Sequence, residues 1–293
     1  MTSATETAAD AASRRSTPAV VLTIAGSEAT GGAGAQADLK TFQELGVFGI
    51  ANLTCIVSFD PKDNWNHRFV PVDQQVIADQ LEATTAAYGA ASGAASVLDT
   101  VKIGMLGSPA TINTVAAALA EGQFRNVVLD PVLICKGQEP GHALDTDQAL
   151  KEQILPLATF VTPNHFEAES LAGLEITDVE SLKAAAIRIH DLSGAAVLAK
   201  GGVRLEGPDA VDVYYDGETL EVLSAPKVGE VAVSGAGCSL AAAVTAELAK
   251  GASPLEAART AKEFVTTGIR NRVASGAPFD ALWQGGIRQG GPR

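Results

Sequence analysis

Six apolar, β-prone runs recur along the chain, at Val20 to Ala25, Ala51 to Phe59, Val97 to Ile103, Asn126 to Asp130, Thr159 to Thr162 and Ala195 to Ala199. Helical periodicity separates them. Leu39 and Phe42 open the first helical pattern, and Val72 to Ala87, Thr111 to Ala120, Asp147 to Leu155, Phe166 to Leu171 and Asp178 to His190 supply the others. Repeated alternation of strand and helix implies parallel strands joined by helical crossovers. The expected fold is a three-layer α/β/α domain with a mostly parallel central sheet. Ala210 to Tyr215 and Thr219 to Leu223 then flank Asp216-Gly217, a strong hairpin signal. After this C-terminal hairpin come a glycine turn, a helix carrying Leu240, Val244 and Leu248 at four-residue spacing with Lys250-Gly251 as its stop, and a last helix from Pro254 to Asn271. No repeat or linker divides the pattern. It predicts one domain over 19–285, a disordered Ala/Ser/Thr tail over 1–18, and a flexible tail over 286–293.

A hydrophobic share of 46% in 293 residues supports a full core. The net charge of -13 argues against polyanionic partners such as nucleic acid, so any phosphate site must be built locally from backbone amides and a few lysines. No apolar run has the length of a membrane span, and residues 1–18 lack a secretory signal's apolar segment. Cys55, Cys135 and Cys238 suit neither a disulfide framework nor zinc-ligand spacing, which points to a reducing cytoplasm.

Loops at strand ends are where such folds bind ligands, and four stand out: Gly26 to Gly34, Asp60 to Arg68, Asp130 to Leu144, and Thr162 to Glu169. Gly32, Gly34 and Ala37 imitate a dinucleotide fingerprint. The first of these glycines comes too late after the strand for a true one, and no Walker A motif is present. In Val233-Ser-Gly-Ala-Gly-Cys-Ser-Leu240, Cys238 stands where a glycine turn opens a helix. Backbone amides and the helix dipole favour an anion there, so the turn is an oxyanion cradle and its thiol, expected to ionise easily, a candidate base. The competing reading is a core cysteine among alanines. Lys200-Gly201-Gly202 can bring an ammonium to a polyphosphate or be an ordinary turn. Asn164 and Glu167 carry oxygens suited to magnesium, and equally form a helix cap with its capping partner. His67 lies in the aromatic, polar loop Asn64-Trp-Asn-His67, Cys55 reads as inert core, and Cys135, beside Lys136 in a Gly/Pro-rich loop, reads as a reactive thiol.

Ala25-Gly-Ser27 with Gly31-Gly-Ala-Gly34, Ala37-Asp-Leu-Lys-Thr-Phe-Gln43, Gly104-Met-Leu106, Asp130-Pro-Val132, Thr162-Pro-Asn164 with Glu167-Ala168, Lys200-Gly-Gly202 and Gly235-Ala-Gly-Cys238 occur in this order. The set closely resembles the vitamin kinase branch of the ribokinase superfamily: hydroxymethylpyrimidine and hydroxymethylpyrimidine phosphate kinases and their pyridoxal kinase relatives. Asp60 to His67 and Val132 to Gly137 resemble the dual-cysteine pyridoxal kinases of bacteria. The resemblance implies ATP and Mg2+ as cofactors, a hydroxymethyl heterocycle as substrate, and a homodimer. It places Cys238 as catalytic base on the Gly235, Ala236, Gly237 turn and Cys135 as a lid cysteine that adds to the pyridoxal aldehyde. By the same resemblance Ser27, Glu28, Gly34, Phe59, His67, Met105 and Val132 line the substrate pocket, Asn164, Lys200 and Gly202 face ATP, and Glu167 serves the magnesium, directly or through water. Two positions depart from the family pattern: Glu28 replaces the usual Asp, and Ser234 the usual His.

Overall fold

A computed structural model describes residues 17–89, 97–121, 124–133 and 140–290, with the side chains of 140–143 and 290 left aside. Among them runs one nine-stranded sheet. Its strands are β1 (Val20–Glu28), β2 (Phe48–Asp60), β3 (Asn66–Pro71), β4 (Leu98–Ile103), β5 (Asn126–Leu129), β6 (Phe160–Val161), β7 (Ala196–Gly202), β8 (Asp209–Tyr215) and β9 (Leu220–Pro226). The spatial order is β3-β2-β1-β4-β5-β6-β7-β8-β9. From β2 to β7 every neighbour is parallel, and the antiparallel strands sit at the two edges. Parallel strands covered on both faces read as continuous apolar runs. β1 obeys this: Val21, Leu22, Ile24 and Ala25 are all buried.

The helices are α1 (Gly34–Glu44), α2 (Gln74–Tyr88), α3 (Pro109–Ala120), α4 (Pro140–Gln153), α5 (His165–Ala172), α6 (Val179–Ser193), α7 (Ala236–Ala249) and α8 (Pro254–Arg270). One face of the sheet packs on α2 to α6 through residues such as Ile77, Ile112, Leu150, Leu171 and Ile189. The other face packs on α7 and α8 through Leu240, Val244 and Phe264, and on α1 through Phe42. The α/β/α layering and the β8–β9 hairpin are those the hydrophobic pattern predicts.

Two segments differ from the sequence expectation. Asp60 to Arg68, read as a loop, is a hairpin: β3 pairs with β2 from Asp60↔Asn66 to Cys55↔Pro71 around a turn in which Asn64 and Trp65 have φ of 47° and 59°. The expected flexible tail from 286 also differs, because Gln284–Gly290 forms a short 3-10 turn whose Arg288 pairs with Glu44 of α1.

The topology fixes where a ligand can sit. From β1 the chain crosses to β2 on one side, and β4 pairs with β1 on the other. Loops leaving the carboxyl ends of such diverging strands open a crevice. Each candidate loop named above starts at the carboxyl end of one of these strands, β1, β2, β5 or β6.

Candidate active site

The turn Gly235 to Cys238 is held from both sides. Gly235, the N-cap of α7, has φ +78°, and a Cβ there would overlap the Gly32 carbonyl oxygen, so only glycine lets the turn lie backbone to backbone against the loop after β1. On the other side, the Ser234 amide donates to the Asp280 carbonyl at 2.9 Å, and the Leu282 amide donates to the Ser234 carbonyl at 2.9 Å. The Ala236 amide bends back to the Val233 carbonyl at 3.3 Å. The remaining donors of the first turn, on Gly237 and Cys238, are those a helix start leaves for a ligand.

The Cys238 thiol accepts from the Gly34 amide, and Lys102, Asp130 and Asp38 are the charges that act on it. Lys102 and Asp38 are both buried: the ammonium donates to the two carboxylate oxygens at 3.0 and 2.8 Å, and Thr23 Oγ1 donates to one of them at 2.6 Å. Burial is the largest influence on Lys102 and opposes its charge, but Asp38, Cys238 and Asp130 together outweigh it and raise the ammonium above its ordinary value. The thiol itself departs from the expected easy ionisation. Burial pushes it up to about 11, more than Lys102 and the Gly34 amide bring it down. A helix N-terminus lowers a thiol pKa when the sulfur is solvated; here desolvation outweighs the dipole.

The phosphate side is assembled by β5, β6 and β7 lying side by side. Lys200 Nζ stands 3.5 Å from Asp130 and 3.5 Å from where a Cβ on Gly237 would lie, which sets the ammonium over the Gly235 to Cys238 turn. Asn164 bridges to Lys200 backbone to backbone and caps α5 in a capping box with Glu167, the side chains accepting at 3.1 Å and 2.7 Å. The cap reading therefore holds. It does not exclude the other, because Glu167 has a second carboxylate oxygen. Burial pushes Glu167 up to about 8, Lys200 opposing and Asp130 and Asp147 adding to the rise. Two acids, Asp130 and Asp147, and one lysine thus act on Glu167, and a cation placed there would favour its ionised form. Among the described residues no three His, Cys, Asp or Glu side chains converge closely enough to hold a metal unaided. The donor set thus fits magnesium shared with phosphate oxygens and water, not a closed protein cage. Gly202 follows at the end of β7, with φ +56°.

On the substrate side the residues fall into three groups. Glu28, expected to contact substrate, is buried and turned onto its own loop: it accepts from the Thr30 amide and hydroxyl at 2.6 and 2.8 Å and from the Gly32 and Ala33 amides at 3.0 and 3.2 Å. The longer arm of Glu over Asp lets it reach these amides, so it shapes the loop. Ser27 Oγ accepts from Gln36, and Gly34 lies against the Gly26 carbonyl. Met105 forms an apolar floor with Cys55, the two sulfurs 3.7 Å apart, and Cys55 is buried, as a core residue should be. Val132 is half-buried just beyond Asp130. The third group is aromatic. The Phe59 ring lies 4.7 Å from His67, 6.5 Å from Trp65 and 5.1 Å from Phe279. Cys135 and Lys136 lie outside the described residues.

Phe279 and the Lys102–Asp38 pair were not singled out by sequence reasoning. A lysine inside the apolar run Val97 to Ile103 is the one signal that pointed to the pair, since a charge there must be matched. Phe279, in a loop remote along the chain, gave none.

A family model described as phosphomethylpyrimidine kinase matches residues 28–282. Among curated relatives, a pyridoxine kinase of Bacillus subtilis is 48% identical over 254 residues, covering 85% of this chain and 89% of that protein. A hydroxymethylpyrimidine/phosphomethylpyrimidine kinase of Haemophilus influenzae is 38% identical, covering 87% and 93%. Among solved structures, a Bacillus subtilis pyridoxal kinase in complex with ADP superposes with a TM-score of 0.84 at 44% identity, covering 93% of this chain and 99% of that one. The Staphylococcus aureus pyridoxal kinase in complex with AMP-PCP and pyridoxal gives 0.83 at 38% identity, covering 93% and 95%.

Proposed function

Because the chain belongs to the phosphomethylpyrimidine kinase family, we propose that it is an ATP-dependent kinase that phosphorylates the primary hydroxyl of pyridoxal, and of pyridoxine and pyridoxamine. What carries this reading is the convergence of Cys238 on its glycine turn with Lys200 on one side and the loop after β1 on the other. Phosphoryl transfer needs positioning and charge neutralisation above all. Lys200 and the Gly237 and Cys238 amides face the transferring phosphoryl group. Asn164 and Gly202 would border the ATP phosphates, and Glu167, through water, would hold Mg2+, which when bound offsets phosphate charge. Cys238 takes the hydroxyl proton. It does so only as the thiolate, the minority form at neutral pH because burial pushes the thiol up to about 11; in a loose transition state the attacking oxygen gives up its proton to that thiolate after bonding to phosphorus has begun.

Phe59, His67, Met105 and Val132 supply an apolar and aromatic bed for a substituted pyridine. Cys135, on the lid Pro131 to Leu144, is assigned the reversible addition to the pyridoxal aldehyde by resemblance alone. Two further parts of the reading are a cytoplasmic location, supported by the unpaired thiols of Cys55 and Cys238, and a homodimer, supported by an exposed apolar pair, Ile56 and Val70, on the edge hairpin. The alternative substrate, hydroxymethylpyrimidine or its phosphate, is favoured by the family match and the Haemophilus influenzae relative. A coupled assay of ADP release with pyridoxal, pyridoxine and hydroxymethylpyrimidine decides between them. Turnover with pyridoxal and pyridoxine well above hydroxymethylpyrimidine is expected, and the reverse order overturns the vitamin B6 assignment.

A further inference from the structure

The four clustered rings come from distant parts of the chain, and all are half-buried: Phe59 from β2, Trp65 from the hairpin tip, His67 from β3 and Phe279 from the segment after α8. The tip is strained. Asn64 and Trp65 are consecutive left-handed residues without being glycine, a conformation that costs about 1–3 kcal/mol at each position. Such a turn persists only where its surroundings hold it. Trp65 is held by its ring contacts, 6.2 Å to Phe279 and 6.5 Å to Phe59.

Phe279 has a second side. With Val231, Val233, Arg272, Pro278 and Asp280 it lines a cleft that starts two residues before Gly235. Its segment is fixed to the catalytic turn through the paired backbone bonds of Ser234 to Asp280 and Leu282. A nucleotide with its phosphates on the Gly237 and Cys238 amides would sit on the turn that this segment braces.

We propose that Phe279 is the shared wall between that cleft and the aromatic substrate pocket, a positioning residue through which nucleotide and ring substrate strengthen each other's binding. Phosphates seated on the turn steady the segment bonded to Ser234 and with it Phe279, Phe279 fixes the strained tip, and the tip completes the ring pocket. The inference rests on the kinase reading above.

Titration calorimetry of pyridoxine with and without AMP-PCP and Mg2+ tests it, since coupling must be reciprocal and measurable in binding alone. In the unaltered protein AMP-PCP should tighten pyridoxine binding by on the order of fivefold or more. Phe279→Ala should bring that factor to about one, while Phe279→Tyr should keep it. Phe279→Leu, which retains apolar bulk, serves if the alanine variant melts early. Absence of coupling in the unaltered protein, or its survival in Phe279→Ala or Phe279→Leu, overturns the inference. A parallel titration with hydroxymethylpyrimidine separates the two levels: failure of both ring compounds to bind sinks the kinase reading itself, whereas binding without coupling sinks only the role of Phe279.

Discussion

At the scale of single residues, burial raises two groups of the proposed site, the Cys238 thiol and the Glu167 carboxyl. Cys238→Ala should leave ATP binding within a few fold, because the backbone cradle survives, and lower kcat by roughly a hundredfold to ten-thousandfold, the usual cost of losing a general base. A variant keeping most of its kcat would return Cys238 to the core. With the thiol near 11, kcat/KM should climb by about tenfold per pH unit through the neutral range and level off only above pH 10; a plateau near pH 8 would exclude this thiol as the titrating base. Glu167 acts in the opposite sense on stability. Its folded pKa of about 8 lies above the ordinary carboxylate value of 4.5, so between those two limits the unfolded chain ionises first and the fold loses stability as pH rises. Glu167→Gln keeps a capping side chain and removes this penalty. Its Tm should match that of the unaltered protein near pH 5 and exceed it by a few degrees at pH 8, while its Mg2+ requirement rises. Residue identities here were readable from the Gly-Ala-Gly-Cys and Thr-Pro-Asn motifs. Their protonation was not, because the expected easy ionisation of Cys238 follows from its place at a helix start, whereas desolvation depends on what the fold lays over it.

At the scale of elements, the Lys102–Asp38 pair joins β4 to α1 across the layer boundary, directly behind the turn that carries Cys238. Removing one partner leaves a buried charge unmatched, which typically costs about 3–5 kcal/mol, while replacing both by apolar residues of similar volume is often neutral. Lys102→Met should therefore lower the urea midpoint strongly, and Lys102→Met with Asp38→Leu should recover most of it. Equal destabilisation of single and double variants would show that the pair is not an isolated unit. The sequence pattern located nearly every element because continuous apolar runs and amphipathic helices carry their own periodicity, as in β1 and α3. It missed β3 because Asn66–Pro71 is an edge strand: half of it faces solvent, and its polar residues and terminal proline resemble a loop. The short β6 was legible as a strand for the opposite reason, being fully buried.

At the scale of the whole molecule, the edge that β3 forms is where assembly should occur. Ile56 and Val70 are direct cross-strand partners, 49% and 60% exposed, on the same face as the Asp60–Arg68 ion pair. A charged pair beside an apolar pair on an exposed hairpin is a patch that a second copy can meet about a two-fold axis, apolar against apolar and each charge against its opposite. The hairpin also carries Phe59 and His67 on its other face, so a partner pressed against it would steady the substrate pocket from behind. Sedimentation velocity should give twice the mass of the chain at micromolar concentration. Val70→Asp, which buries a charge in that interface but leaves the isolated fold intact because the position is exposed, should shift the protein to monomer and raise KM for the ring substrate more than for ATP. A protein that sediments as a monomer, or a dimer that neither Val70→Asp nor Ile56→Glu disturbs, would move the interface elsewhere and leave the hairpin as a flap that works alone.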